Sequence, residues 1–236
     1  MQVFHNNIEV EEYGVVTIDG NSYNNYINSM YPEFQKYMPK DGAEYGIKEE
    51  FNNKTFQVRR LPKDTELTFW DDDNAGWVKF DTDTFIPMMI DNAGSPWMSI
   101  TPMEVTTCRN GALNQHGTVL VGGLGLGWIT KSLLENDEVH HVTVYELDED
   151  VIEFIGRPLL AKYGHKLRII NESIYEAYPS EFDCVSIDIH MGYGDAEDDD
   201  ELEGWLMDNS MCHDDDNVWV WGYNDTTHVR ALRFGY

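Results

Sequence analysis

Between Thr118 and Trp128 the chain reads Thr-Val-Leu-Val-Gly-Gly-Leu-Gly-Leu-Gly-Trp, and little else in it limits the fold so tightly. An apolar run, Val119 to Val121, meets a glycine-rich turn made of Gly122, Gly123, Gly125 and Gly127, and a helical pattern follows from Leu126 to Leu134. A buried strand, a tight loop and a helix start are expected. Glycine lets a backbone approach a ligand where a Cβ would collide, and a helix N-terminus offers unpaired N–H groups. Such a loop suits a nucleotide or something built like one, the alternative being a purely structural turn. The β-prone run Val142-Thr-Val-Tyr-Glu146 ends in a carboxylate 23 residues after Gly123. An acidic residue at about that spacing accepts hydrogen bonds from ribose hydroxyls in nucleotide-binding α/β sheets.

From there to Asp188 helices and strands alternate: helix 126–136, strand Val142–Glu146, helix 148–163, strand 166–170, a short helix 174–178 and strand 182–188. Alternation of this kind predicts a parallel sheet with helices on both faces and right-handed connections. Ligands of such sheets bind at the carboxyl ends of the strands, where Glu146, Glu172 and Asp188 all fall. Beyond them, a charge run from Asp195 to Glu203 leads into a short helix around Trp205 and Met207. A fifth strand is expected over Val218–Tyr223, and a last one over Val229–Phe234.

The first hundred residues have another texture. Val3 to Ile18 reads as strands around a turn. Tyr23, Tyr26, Ile27, Met30, Phe34, Tyr37 and Met38 recur at helical intervals, interrupted at Pro32. Four short β-prone runs follow, 55–61, 66–70, 76–81 and 84–90, as an antiparallel meander or hairpins. The Asp71-Asp72-Asp73 stretch reads as a hairpin tip kept soluble by charge in preference to a cation clasp. Thr101-Pro102-Met103-Glu104 has the form of a capping box with proline at the first helical position, which predicts a helix from Pro102 to about Leu113. The expected organisation is a β-rich subdomain over 1–100 and a Rossmann-like domain over 101–236.

The 236 residues include 43 acidic and 16 basic side chains, a net charge of −27. That field repels phosphate backbones and anionic lipid, so neither nucleic acid nor membrane is an expected partner. Solubility or a high-salt setting explains the acidity better than a cationic substrate, because the acids are spread from Glu9 to Asp225. Cys108, Cys184 and Cys212 lack metal-ligand spacing and are expected as reduced thiols, with no metal site. No membrane span or secretory leader is legible, and a cytoplasmic protein is expected.

These residues together resemble the class I S-adenosylmethionine-dependent methyltransferase fold, and within it the layout of spermidine-synthase-like proteins. Gly123-Leu124-Gly125-Leu126-Gly127 matches that fold's Gly-x-Gly-x-Gly, whereas a dinucleotide motif would need its third glycine at Thr130. The resemblance implies S-adenosylmethionine as cofactor, with Glu146 on the ribose, Glu172 beside Ser173 at the adenine edge and Asp188 beside the reacting sulfonium. The strand Phe182 to Asp188 matches the spermidine-synthase pattern Phe-Asp-x-Val-x-x-Asp. Two departures oppose aminopropyl transfer: Leu126 stands where that family has an aspartate, and Asp188-Ile189-His190-Met191 lacks its second carboxylate. Only 14 residues follow Gly222, so the C-terminal end of the sheet is shortened, and its edge would be covered by 229–234, by the N-terminal part or by another copy in a homo-oligomer.

If the attacking atom carries a proton, a base helps, and His190 is the candidate because imidazole titrates near neutrality. Tyr193 on the same loop could orient a substrate. His140 and His141 precede the second strand at the wrong end of the sheet. The expected activity is methyl transfer to a small molecule. The alternatives are a spermidine-synthase-like aminopropyl transferase and a non-catalytic binding or assembly module.

Overall fold

A computed structural model describes residues 14–70, 75–178, 182–190, 196, 200–208 and 217–222. The expected strands before Gly14, the Asp71–Asp73 tip, most of the charge run before Asp200, Tyr193, Met191, Cys212 and the 229–234 strand lie outside these residues. The chain forms two compact units, the first ending at Thr107 and the second beginning at Cys108.

In the first unit, β1 (Val15–Ile18) leads into α1 (Gly20–Met30). Asp19 caps α1, its carboxylate accepting from Asn21 N and Ser22 N at 3.0 and 3.2 Å. Tyr23, Ile27 and Met30 line the buried face of that helix. Pro32 cannot supply the N–H that would continue it, and the chain tightens into a 3₁₀ helix over Pro32–Tyr37. Strands β2 (Glu49–Glu50), β3 (Lys54–Leu61), β4 (Glu66–Trp70), β5 (Ala75–Phe80), β6 (Thr84–Asp91) and β7 (Pro96–Ser99) follow. They form two sheets, β1-β5-β4 and the antiparallel β2-β3-β6-β7. The β4–β5 hairpin was expected. The parallel pairing of Val15 to Ile18 with Trp77 to Phe80 was not, because it joins segments about sixty residues apart. Phe56, Val58, Phe80, Met89 and Ile100 fill the core with the α1 face.

The capping box forms in part: Glu104 N donates to Thr101 Oγ1, while the Glu104 carboxylate accepts from the Ser99 hydroxyl. The helix expected over 102–113 is two helices instead, α2 (Pro102–Thr107) and α3 (Asn110–Leu113). Three β-branched residues in α2, Val105, Thr106 and Thr107, are weak helix formers, and the break follows them.

The second unit continues with β8 (Gly117–Gly122), α4 (Trp128–Leu134), β9 (Val139–Tyr145), α5 (Glu149–Val151), α6 (Arg157–Tyr163), β10 (Leu167–Ile170), β11 (Cys184–Ile187), α7 (Asp200–Asp208) and β12 (Val218–Val220). The five strands are all parallel, in the order β10-β9-β8-β11-β12. Relabelled by position this is 3-2-1-4-5, the Rossmann-like order with its switch point between the first and fourth strands. That pair is β8 and β11.

Period-two alternation sorts the two faces of this sheet. Leu120, Val185, Ile187, Val218 and Val220 pack against Ile174 and against Leu202, Trp205 and Leu206 of α7. On the opposite face, Ser186 donates to Gly111 O of α3 at 2.6 Å, and Trp219 lies so close that a Cβ on Gly111 would be 2.2 Å from its ring. Between α5 and α6 the backbone makes a π turn over Ile152–Gly156. Pro158 follows within α6 and lacks an N–H, which accounts for the change of register. That turn places Ile155 where a Cβ on Gly127 would be 2.9 Å away, so α4 and the π turn close on each other through a glycine.

Candidate functional site

Three glycines of the loop do different work. Gly123, Gly125 and Gly127 all have positive φ, at 84°, 52° and 79°. A Cβ on Gly123 would stand 2.1 Å from the carbonyl oxygen of Asp188, so the loop and the end of β11 touch backbone to backbone there. A Cβ on Gly127 would strike Ile155, which makes the third glycine a packing residue. At Gly125 a Cβ meets nothing within 4 Å. Of the three, only Gly125 borders open space, and a ligand laid along the loop would occupy that space.

Glu146 fixes this loop. It is the first residue past β9, and its Oε2 accepts from Leu124 N at 2.8 Å while Oε1 accepts from Asp148 N at 2.8 Å. One carboxylate therefore ties the glycine loop to the turn that starts α5, which Asp148 caps by accepting from Asp150 N and Val151 N. Asn171, at the end of β10, donates to the carbonyls of Glu146 and Leu147 at 2.9 and 3.0 Å, so neighbouring strand ends hold the same turn. Each oxygen of Glu146 keeps a second lone pair able to accept from a hydroxyl.

Asp188 closes the other side. Its N–H donates to Gly122 O at 2.8 Å, continuing the β8–β11 ladder by one rung. Its carboxyl turns to the α3 face, where Oδ2 accepts from the buried Cys108 thiol at 3.8 Å. Burial pushes this carboxyl up to about 7, and the thiol contact opposes the rise. A carboxyl poised there exchanges a proton near neutral pH, which is what general acid–base chemistry asks of a side chain.

The other sequence candidates are distributed less tightly. Glu172 is exposed, and Ser173 Oγ accepts from Tyr175 N at 3.3 Å at the start of the 3₁₀ turn Ile174–Glu176. His190 follows Asp188 by two residues with its Nδ1 shielded from solvent. Tyr193 lies outside the described residues. Thus Gly123, Gly125, Glu146 and Asp188 come together around one loop, Gly127 turns to helix packing, and Glu172 stays on the rim. Leu147 and Ile189, each directly after one of the two carboxylates, are exposed apolar side chains at 71% and 37%. Trp128 is buried, and Leu126 is buried with it.

Cys108 and Asn171 escaped the sequence reading. Nothing local marks Cys108, whose partner is 80 residues away. Asn171 carried a signal in its position immediately past a strand, where a side-chain amide can take up loop carbonyls. At the far end of the sheet His116 and His140 flank Asp183, away from the loop; His140 and His141 stand within the amino-terminal part of β9 and not before it as expected, because pairing with β8 begins at Val139. Among the described residues no group of three or more His, Cys, Asp and Glu side chains is arranged to hold a metal ion. No helix among them is long and apolar enough to cross a membrane. Cys108 and Cys184 are both buried, and neither is in a disulfide.

No protein-family model and no curated protein matches this sequence. Solved structures do, and methyltransferases predominate among their names. The chain is 23% identical to the 23S rRNA methyltransferase ErmE, with a TM-score of 0.35 over 45% of this chain and 42% of that one. It is 19% identical to a dimethyladenosine transferase from Plasmodium falciparum, with a TM-score of 0.36 over 46% of this chain and 37% of that one. Spermidine synthase from Thermotoga maritima aligns over 81% of this chain and 62% of its own, at 12% identity and a TM-score of 0.44. The chain thus spans about two fifths of the first two proteins. The fold assignment rests on strand order and parallel register.

Proposed function

We propose that the second unit holds S-adenosylmethionine against the Gly123–Gly125 loop and transfers its methyl group to a small molecule. The observation that carries this reading is the pairing of open space at Gly125 with the Glu146 carboxylate bound to the loop's own Leu124 N–H. Residues and group fit in kind: a glycine edge without side chains can lie along an adenosyl moiety, and Glu146 has lone pairs left for a ribose diol. When bound, S-adenosylmethionine supplies a methyl group made electrophilic by a sulfonium.

The chain's own part is positioning and proton handling. Glu146 and the loop would hold the nucleoside, and the exposed apolar side chains of Leu147 and Ile189, each next to one of the two carboxylates, would help to exclude water. Asp188 would take the proton of an acceptor O–H or N–H, and it is suited to this because its carboxyl exchanges near neutrality. His190 is the next proton acceptor along the same segment. A net charge of −27 favours small neutral or cationic acceptors over nucleic acid. Aminopropyl transfer is the lesser reading, because Leu126 is buried and apolar and offers no carboxylate to an amine.

Calorimetric titration of S-adenosylmethionine, S-adenosylhomocysteine and decarboxylated S-adenosylmethionine tests the reading, with Gly125→Asn as the blocking variant. Asparagine tolerates a left-handed backbone, so this variant keeps the loop and fills the space. Micromolar binding of the two carboxylated ligands, lost in Gly125→Asn, is the expected outcome. Preference for the decarboxylated ligand would move the assignment to aminopropyl transfer, and no binding of any of the three would remove it.

A further inference from the structure

Residues 108–116 grip one face of β11 at three successive rungs. His116 meets Cys184, its N–H donating to Sγ at 3.4 Å and its Nδ1 lying 3.6 Å from the same sulfur. Gly111 O accepts from Ser186 Oγ at 2.6 Å. Cys108 Sγ reaches Asp188 Oδ2 at 3.8 Å. The residues engaged, 184, 186 and 188, are those that alternation puts on a single face, and the partner segment runs antiparallel to them. The first two rungs fix the segment to the sheet through fully buried groups, Cys184 and Ser186 each being 0% exposed. The third falls on Asp188, whose backbone touches the glycine loop at Gly123.

We propose that Cys108 is a positioning residue for Asp188, its thiol holding Oδ2 so that Oδ1 is the oxygen presented to the reacting atoms. Asp188 cannot swing freely at its backbone, since its N–H is bound to Gly122 O and its own carbonyl abuts Gly123. The side-chain torsions are the remaining freedom, and the contact with Cys108, itself 2% exposed, removes it. Among the described residues no hydrogen bond reaches Oδ1. The thiol donates to the ionised carboxylate and so favours that form. The other ionisable groups on the elements around Asp188 are Arg109 and His116 on the gripping segment, Asp183 and Cys184 at the start of β11, His190 two residues after Asp188, and Glu146 just past β9. The loop 122–127 contributes none.

The proposal rests on the reading of Asp188 as proton acceptor, but its test needs no ligand. Aspartate carboxyl carbons are followed by ¹³C NMR against pH in the full chain, with Asp188→Asn assigning the signal that titrates near neutrality. Cys108→Ala is expected to move that midpoint to higher pH. Ser186→Ala, which cuts the middle rung and leaves the thiol in place, is expected to leave the midpoint where the wild type has it. An unmoved midpoint in Cys108→Ala, or an equal shift in Ser186→Ala, overturns the role. Failure here leaves the calorimetric result for the cofactor untouched, and failure of the calorimetry leaves this titration standing.

Discussion

Asp183 and Asp188 stand at opposite ends of the same strand, and their surroundings differ in nearly every respect. Asp183, before β11, is exposed, and its Oδ2 accepts from Thr118 N at 2.7 Å and Thr118 Oγ1 at 2.8 Å. Those bonds, the backbone one first, hold its carboxyl below the usual carboxylate range. Asp188, after β11, has one weak donor and a covered carboxyl, and burial raises it to about 7. The first is satisfied and belongs to the sheet. The second is under-satisfied, which a fold retains at a cost to stability and which chemistry can use.

The sharpest way to break the contrast is to neutralise each acid. For Asp188 the folded value is raised, so below pH 4 both folded and unfolded states are protonated and nothing is lost. As pH rises from about 4 to about 7 the unfolded chain releases its proton while the folded one keeps it. Stability falls over that window and then levels off, by at most about 4 kcal/mol. Asp188→Asn should therefore be more stable than the wild type at pH 8 and near equal at pH 4, as read by urea denaturation. A wild-type advantage at pH 8 would contradict the assignment.

The glycines seating these two acids extend the contrast. A Cβ on Gly123 would meet a backbone oxygen of Asp188 that has nowhere to move, so Gly123→Ala should cost about 3 kcal/mol or more and displace β11 from the loop. On Gly117, with φ at 64°, it would meet the Asp183 carboxylate at 2.2 Å, a side-chain end that can swing aside by giving up its exposed bonds to Thr118. Gly117→Ala should cost the left-handed strain and those exposed bonds, about 2 kcal/mol. Equal losses in thermal unfolding would show that the two ends are not distinguished as described.

The smallest effect belongs to Asp183. Its folded value is depressed, so its contribution is present above the unfolded value and disappears as pH falls through the folded one. Solvent screens so exposed a group, and Asp183→Asn should lose under about 1 kcal/mol at pH 7, the loss shrinking as the carboxyl protonates in acid.

The same two acids show how far a sequence can be read. Glycine spacing, strand alternation and the carboxylate 23 residues past Gly123 are local patterns, and they led to the parallel sheet and to Glu146. Asp188 was legible by its place at the end of a strand. What distinguishes it from Asp183 was not, because the difference lies in Cys108 and Thr118, brought in from 80 and 65 residues away. The break between α2 and α3 and the π turn over Ile152–Gly156 were hidden for another reason. Both follow from local residues, the Val105-Thr106-Thr107 run and Pro158, that the spacing of apolar side chains does not report. Ser173 was named for its place past a strand, and the bond its Oγ accepts from Tyr175 N at a turn three residues long was not legible there.

The account turns on Gly123, Leu124 and Gly125 lining an adenosyl site. Backbone amide NMR of ¹⁵N-labelled protein during a titration with S-adenosylhomocysteine reads those three N–H groups directly. The largest shifts are expected at Gly125 and Leu124, with Asp148 following through Glu146. Binding whose shifts leave those amides unmoved and gather elsewhere on the chain would contradict it.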